Sequence, residues 1–159
     1  MYDISTNTWS TVEGLPEAYF TSDHTGFASE NRYAYFLGGY DQNYTALDTV
    51  FSIDATSADP LSTLTARAPL NVERGDISSA IDPVDGTVLV AGGFTHANDF
   101  CEPHEHAELY NVAADTWTDV APLQFGRADK ALVHLEGGST FFALGGERQV
   151  TGFCELLPL

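Results

Sequence analysis

A chain of 159 residues with 23 acidic and 6 basic side chains has a formal charge of −17, and its 43% hydrophobic content is enough for a packed core. That charge opposes nucleic acid and anionic membrane surfaces through like-charge repulsion; it suits a basic partner or divalent cations, and equally serves solubility or tolerance of salt. No apolar run reaches the roughly 18 residues needed to span a bilayer, and no basic-then-apolar leader precedes the first strand signal.

Taken in chain order, the predicted elements are short and of β type. Tyr2-Asp3 closes one strand and Trp9 lies on the next. Residues 23–29, 32–37, 47–54 and 63–67 then read as four strands, each bounded by turn formers. Four more follow at 76–81, 87–91, 105–111 and 116–120. Asp82-Pro83-Val84-Asp85-Gly86 supplies the backbone angles of a reversal between the first two of these. The run 87–91, continuously apolar after its threonine and rich in β-branched residues, predicts a strand buried on both faces. A last apolar run, 141–144, ends the pattern, and no window carries a helical stripe.

The order repeats. Glycine doublets stand at Gly38-Gly39, Gly92-Gly93 and Gly145-Gly146, spaced 54 and 53 residues apart, each closing an apolar run. Pro16, Pro69 and Pro122 keep the same 53-residue period, and Arg74 and Arg127 each stand five residues after their proline. Tyr2 and Tyr110, like Trp9 and Trp117, lie two periods apart. A period of about fifty residues signals an array of similar units, each too small to bury its own faces.

Four-stranded units of this length, with a glycine doublet ending a strand and Tyr-Asp placed ahead of Trp, resemble the kelch repeat. The resemblance covers essentially the whole chain, although the middle unit has Ile53 for the tyrosine and Leu64 for the tryptophan, with extra residues between them. It implies an all-β, kelch-type β-propeller, here a partial ring of about three four-stranded antiparallel blades. The expected single domain divides into 1–16, the end of one blade; 17–69 and 70–122, two full blades; and 123–159, the start of the next. Propellers close with about four to eight blades. Three therefore imply either a segment of a longer ring, the reading the sequence favours, or two chains joined as a six-bladed assembly.

The stretch 96–108 concentrates His96, Asp99, Cys101, Glu102, His104 and His106. His104 and His106 would share a face if they lay on a strand and so could share a metal ion. Pro103 and the spacing fit no standard zinc motif, so a polar surface loop is the expectation, with no metal or cofactor assigned. A Cys101–Cys154 disulfide would need Cα atoms within about 7 Å, a distance that equivalent points on neighbouring blades often exceed. The sequon at Asn43 matters only for a secreted chain. Phosphate-cradling loops and Gly-x-Ser-x-Gly elbows are absent, and an enzyme is not expected. Galactose oxidase and the plant specifier proteins, enzymatic and iron-holding relatives of the kelch class, have site patterns that this sequence does not match.

In up-down-up-down blades the second-to-third and fourth-to-first connections emerge on one face of the ring. Residues 40–46 and 94–104 belong to the first set, and 69–75 and 122–127 to the second. Tyr40, Arg74, Phe94, His96 and Arg127 are thus candidate partner-binding residues, since arginine and aromatics suit hot spots. For the two arginines an alternative stays open: pairing with acidic neighbours between blades, repeated because the scaffold repeats. The expected function is a protein-interaction scaffold acting through these loops. Metal-dependent chemistry in the 96–106 loop and carbohydrate binding by an extracellular propeller are the alternatives.

Overall fold

The computed structural model describes residues 1–19, 21–95, 103–135, 138 and 140–146. Twelve strands lie among them: β1 (Tyr2–Asp3), β2 (Thr8–Trp9), β3 (Thr25–Ser29), β4 (Tyr33–Leu37), β5 (Val50–Asp54), β6 (Thr65–Ala66), β7 (Ser78–Ile81), β8 (Thr87–Ala91), β9 (Ala107–Asn111), β10 (Thr116–Asp119), β11 (Ala131–Leu135) and β12 (Thr140–Leu144). Two short 3-10 turns, Glu17–Tyr19 and Pro60–Thr63, are the only helical elements among the described residues. Pro60–Thr63 takes up the extra residues of the middle unit.

Pairing is antiparallel throughout and follows chain order. β3-β4-β5-β6 form one four-stranded blade and β7-β8-β9-β10 the next. β1-β2 and β11-β12 are two-stranded sheets. Each hairpin has its own local cause. Between β3 and β4, Glu30 and Asn31 both have positive φ (56° and 52°), and Arg32 N–H closes on Ser29 O at 3.1 Å. That conformation suits the right-handed twist of the strands it joins. Between third and fourth strands, a carboxylate or amide in phase caps the turn. Asp3 accepts from Ser5 N, Asp54 from Thr56 N and Asn111 from Ala114 N.

β3, β7 and β11 stand side by side as the innermost strands of successive blades. The sequence predicts strands beginning at Asp23 and Asp76, but both start two residues later. Asp23, Asp76 and Asp129 instead take left-handed backbone (φ 52°, 52° and 48°), which aspartate tolerates better than most residues. Their main chains then bond across the blades. Asp76 N–H donates to Asp23 O at 2.9 Å and Asp129 N–H to Asp76 O at 3.1 Å. Three in-phase aspartates thus stitch the blades together near the axis.

Side-chain packing between blades supplies the core. Tyr35, Leu37 and Val50 of the first full blade meet Val88, Val90 and Tyr110 of the second. Val88 and Val90 are completely buried, worth roughly 1.5–3 kcal/mol each. β8 is therefore fully buried on that face, while Thr87 and Leu89 on its other face are half-buried. Tyr110 stacks on Trp117 at 4.6 Å, and the indole N–H donates to Ala68 O of the preceding blade.

The first two glycine doublets are points of close backbone approach. A Cβ on Gly92 (φ +65°) would stand 2.1 Å from Arg127 O of the next blade, whereas one on Gly86 (φ +75°) would meet nothing nearer than Val112 at 4.0 Å. Gly86→Ala is therefore expected to cost about 1–2 kcal/mol, the left-handed backbone penalty alone. Gly92→Ala should cost clearly more, because two blades must part. Urea denaturation midpoints of the two variants check this, and equal losses would refute the close-approach account.

Candidate interaction face

The second-to-third and fourth-to-first connections meet at one end of the blades. Tyr40 bridges both Ser22 and Ala46, and Gly75 bridges Phe94. Gly39 N–H donates to Arg74 O, and Gly93 N–H to Arg127 O, in the same relation one blade later. Arg127 N–H reaches His104 O at 3.4 Å. Loops distant in sequence thus form one continuous face.

Three expected contact residues lie beneath that face. Tyr40 is 1% exposed and Phe94 2%, which corrects the expectation of them as surface contact residues; Arg74 is fully buried against Glu108, the acidic pairing held open for it. Each has a structural reason. Both aromatic residues follow a glycine doublet and form β-bridges, and their side chains pack inward. Tyr40 Oη donates to Asp76 Oδ2 at 3.0 Å; burial, then the Asp76 charge, pushes its phenol well above the usual range. Arg74 makes an ion pair with Glu108 and donates to His106 O at 2.9 Å. Desolvation lowers its guanidinium, and the Glu108 charge opposes that shift. Glu108 in turn accepts Asn71 N–H at 3.0 Å.

Arg127 remains partly exposed and donates to Gly145 O at 2.8 Å. Arg74 makes the in-phase contact to Gly92 O, and Thr21 Oγ1 makes it to Gly38 O. One job therefore recurs three times: a side chain five residues after the proline holds the carbonyl of its blade's first doublet glycine. His96 lies outside the described residues, as do Cys101 and Cys154.

The strand condition for His104 and His106 is not met, since both precede β9. They also turn to different partners. His104 Nε2 is 3.0 Å from Thr95 Oγ1, while His106 Nε2 is 3.2 Å from Asp119 Oδ1. Among the described residues no three His, Cys, Asp or Glu side chains converge to hold a metal ion.

The exposed residues of this face are others. Asp41 Oδ1 accepts the N–H groups of Asn43 and Thr45, both at 2.8 Å, and these bonds hold its carboxyl below the usual value. They fold a tight loop that projects Tyr44, 60% exposed, with Asn43 also at the surface. Phe125 is 46% exposed in the last connection. Asp23 and Asp129 are exposed and Asp76 half-buried. Tyr44 and Phe125 carry no periodic signal, so sequence reasoning passed over them. Glu108 and Lys130 were missed as well, because nothing in a single strand marks which polar side chain its neighbour will bury.

Together the fold and its phased loops define a class: a radial array of four-stranded antiparallel blades, an arc of a β-propeller. Residues 80–124, from within β7 to past β10, match the Kelch motif, and the fold is that of a kelch-type β-propeller segment. Among solved structures it is similar to one titled "Structure of YjhT", with a TM-score of 0.73 and 18% identity, over 92% of this chain and 44% of that one. The likeness is one of fold, and the chain spans less than half the length of that protein. No curated protein sequence matches it at a significant level.

Proposed function

We propose that this chain is a protein-interaction scaffold that presents the loop face described above to a basic partner. The carrying observation is the grouping of Asp23, Asp76 and Asp129, tied together by backbone bonds, on the same end as the exposed rings of Tyr44 and Phe125. Aromatic anchors contribute much of the energy at protein interfaces, and complementary charge steers encounter and selects partners. The charge of −17 makes that complement basic. No nucleophile-and-base pair enters this reading; the face works by shape and charge.

Selection of peptides from a displayed library on the purified chain tests it. Lysine- and arginine-rich peptides should be recovered, with affinity falling as salt is raised. Tyr44→Ala combined with Phe125→Ala should weaken the selected peptide at least about tenfold, the effect of losing one modest hot spot. Val84→Ala, at an 89% exposed position in the β7–β8 turn, should leave affinity unchanged. Acidic or salt-insensitive peptides, or binding indifferent to the two aromatic changes, would refute the proposal.

A further inference from the structure

Most basic side chains among the described residues are engaged within the fold. Arg32 pairs with Asp54 and Arg74 with Glu108, while Arg127 and Lys130 donate to the carbonyls of Gly145 and Ala91. Arg67 differs. Its Nε donates to Ser52 Oγ at 2.9 Å and its guanidinium lies over the Tyr35 ring, 5.6 Å from the centroid. These two contacts fix the group in place, yet its two terminal nitrogens have no partner among the described residues. The chain has 23 acidic side chains, and none of those described pairs with this fork.

Arg67 lines a cavity of about 600 Å³ between the two full blades, at the end opposite the interaction face. The β3–β4 hairpin forms one side of its mouth, and the β7–β8 and β9–β10 turns form the other. Strand alternation builds the first wall. Ser29 opposes Tyr33 across β3 and β4, and Tyr35 lies two residues further along β4 on the same face. Tyr35 is 4% exposed and Ser29 7%, and neither hydroxyl has a hydrogen-bond partner among the described residues. Buried hydroxyls are ordinarily bonded. Neither is sealed in protein, since the sealed and unpartnered side-chain atoms among the described residues are Arg74 Nε and His106 Nδ1. The cavity is what both hydroxyls face. Burial holds the Tyr35 phenol above its usual range, against the Arg67 charge, so it keeps the proton it would donate. The second wall is apolar, formed by Ile81, Pro83, Val84 and Val112.

We propose that this cavity binds a small organic acid with a flat apolar body, its single carboxylate held on the Arg67 fork. A guanidinium presents two parallel N–H donors that match a carboxylate. Tyr35 Oη and Ser29 Oγ add donors from the same wall, and the body of the ligand lies against the apolar one. The volume suits one ring-bearing molecule. A phosphate would meet the same fork with a second negative charge, and Glu30 and Asp85 line the cavity too, so repulsion selects the monoanion. The site shares no residue with the loop face and does not depend on what that face binds.

Isothermal titration calorimetry of the purified chain with benzoate, benzamide and phenyl phosphate tests the proposal. Benzoate should bind at a single site, with the amide and the phosphate ester at least about tenfold weaker, the usual loss with one hydrogen bond to a charged group. Tyr35→Phe removes a hydroxyl that the fold leaves unbonded. It should weaken benzoate by about the same factor without moving the urea midpoint. Arg67→Met should abolish binding, and Arg67→Lys, which keeps the charge but loses the fork, should not restore it fully. Tyr44→Ala combined with Phe125→Ala, at the other end of the blades, should leave benzoate affinity unchanged. No binding at millimolar benzoate, equal affinity for the amide, tighter binding of the phosphate ester, or affinity indifferent to Tyr35→Phe would overturn it. The Tyr35→Phe comparison decides the matter even where Arg67→Met fails to fold.

Discussion

Arg74→Ala should destabilise the fold by about 3–5 kcal/mol, the usual cost of leaving one member of a buried ion pair without its partner. Neither Arg74 nor Glu108 has any exposed side-chain surface. Removing the guanidinium leaves the buried carboxylate between the blades with the Asn71 N–H and, 3.8 Å away, His106 Nδ1, and takes one of two donors from His106 O. Arg127→Ala, at the in-phase but partly exposed position, loses a single bond to Gly145 O and should cost about 1 kcal/mol. Replacing Arg74 by Met together with Glu108 by Leu should recover most of the loss, because no unpaired charge then remains buried. Urea denaturation of the four proteins measures these differences. Similar small losses for both arginines would mean that the Arg74–Glu108 pair does not join the strands as described.

The second expected result is a gain of stability with pH that depends on one side chain. Lys130 is 6% exposed and donates to Ala91 O. Burial lowers its ammonium from 10.5 to about 8, reinforced by the Arg74 and Arg127 charges and opposed by Asp129. The folded chain releases this proton near 8 and the unfolded chain only near 10.5, so between those values the unfolded state binds more protons. Stability must therefore rise with pH across that window and be flat, at its lowest, below it. The full gain is about 3 kcal/mol, since each pKa unit is worth about 1.4 kcal/mol. Lys130→Met should abolish the slope and be the more stable protein at neutral pH, less the cost of an unpaired Ala91 carbonyl.

Denaturation midpoints taken from pH 7 to 10 check this. Above pH 10 the buried phenols of Tyr40 and Tyr110 interfere: both titrate near 10.0 when unfolded and higher in the fold, so stability falls again there. A wild-type minus variant difference that stays constant with pH would show that Lys130 keeps its proton in the fold.

The strands were legible in the sequence because each unit repeats the same alternation and the same turn chemistry. Tyr110-Asn111 before Trp117, and Gly92-Gly93 after 87–91, announce their places by recurring. Where an element was mislaid by two residues, at Asp23 and Asp76, the cause is a left-handed backbone that local propensity does not encode. The end of the blades where these loops gather was legible from their order, but the burial of Tyr40 and Phe94 beneath them was not. Tyr40 and Phe94 look like surface aromatics because they follow glycine in a connecting segment. They are buried because the β-bridges that follow the doublet turn them under the loops.

The amino-acid order alone determines the blade: its period, its four strands, its turns and the glycines that let neighbours approach. These are local properties, set within one unit of about fifty residues and restated in the next. Only the tertiary arrangement decides which polar groups the packing of blade on blade will bury. Arg74 and Arg127 hold the same place in their units, yet one is sealed against Glu108 by the following strands and the other remains at the surface. Lys130 stands where the preceding unit has Ile77, and its proton affinity follows from neighbours contributed by a different blade. Burial and charge at a seam are properties of two surfaces in contact, and a single unit of sequence describes only one of them.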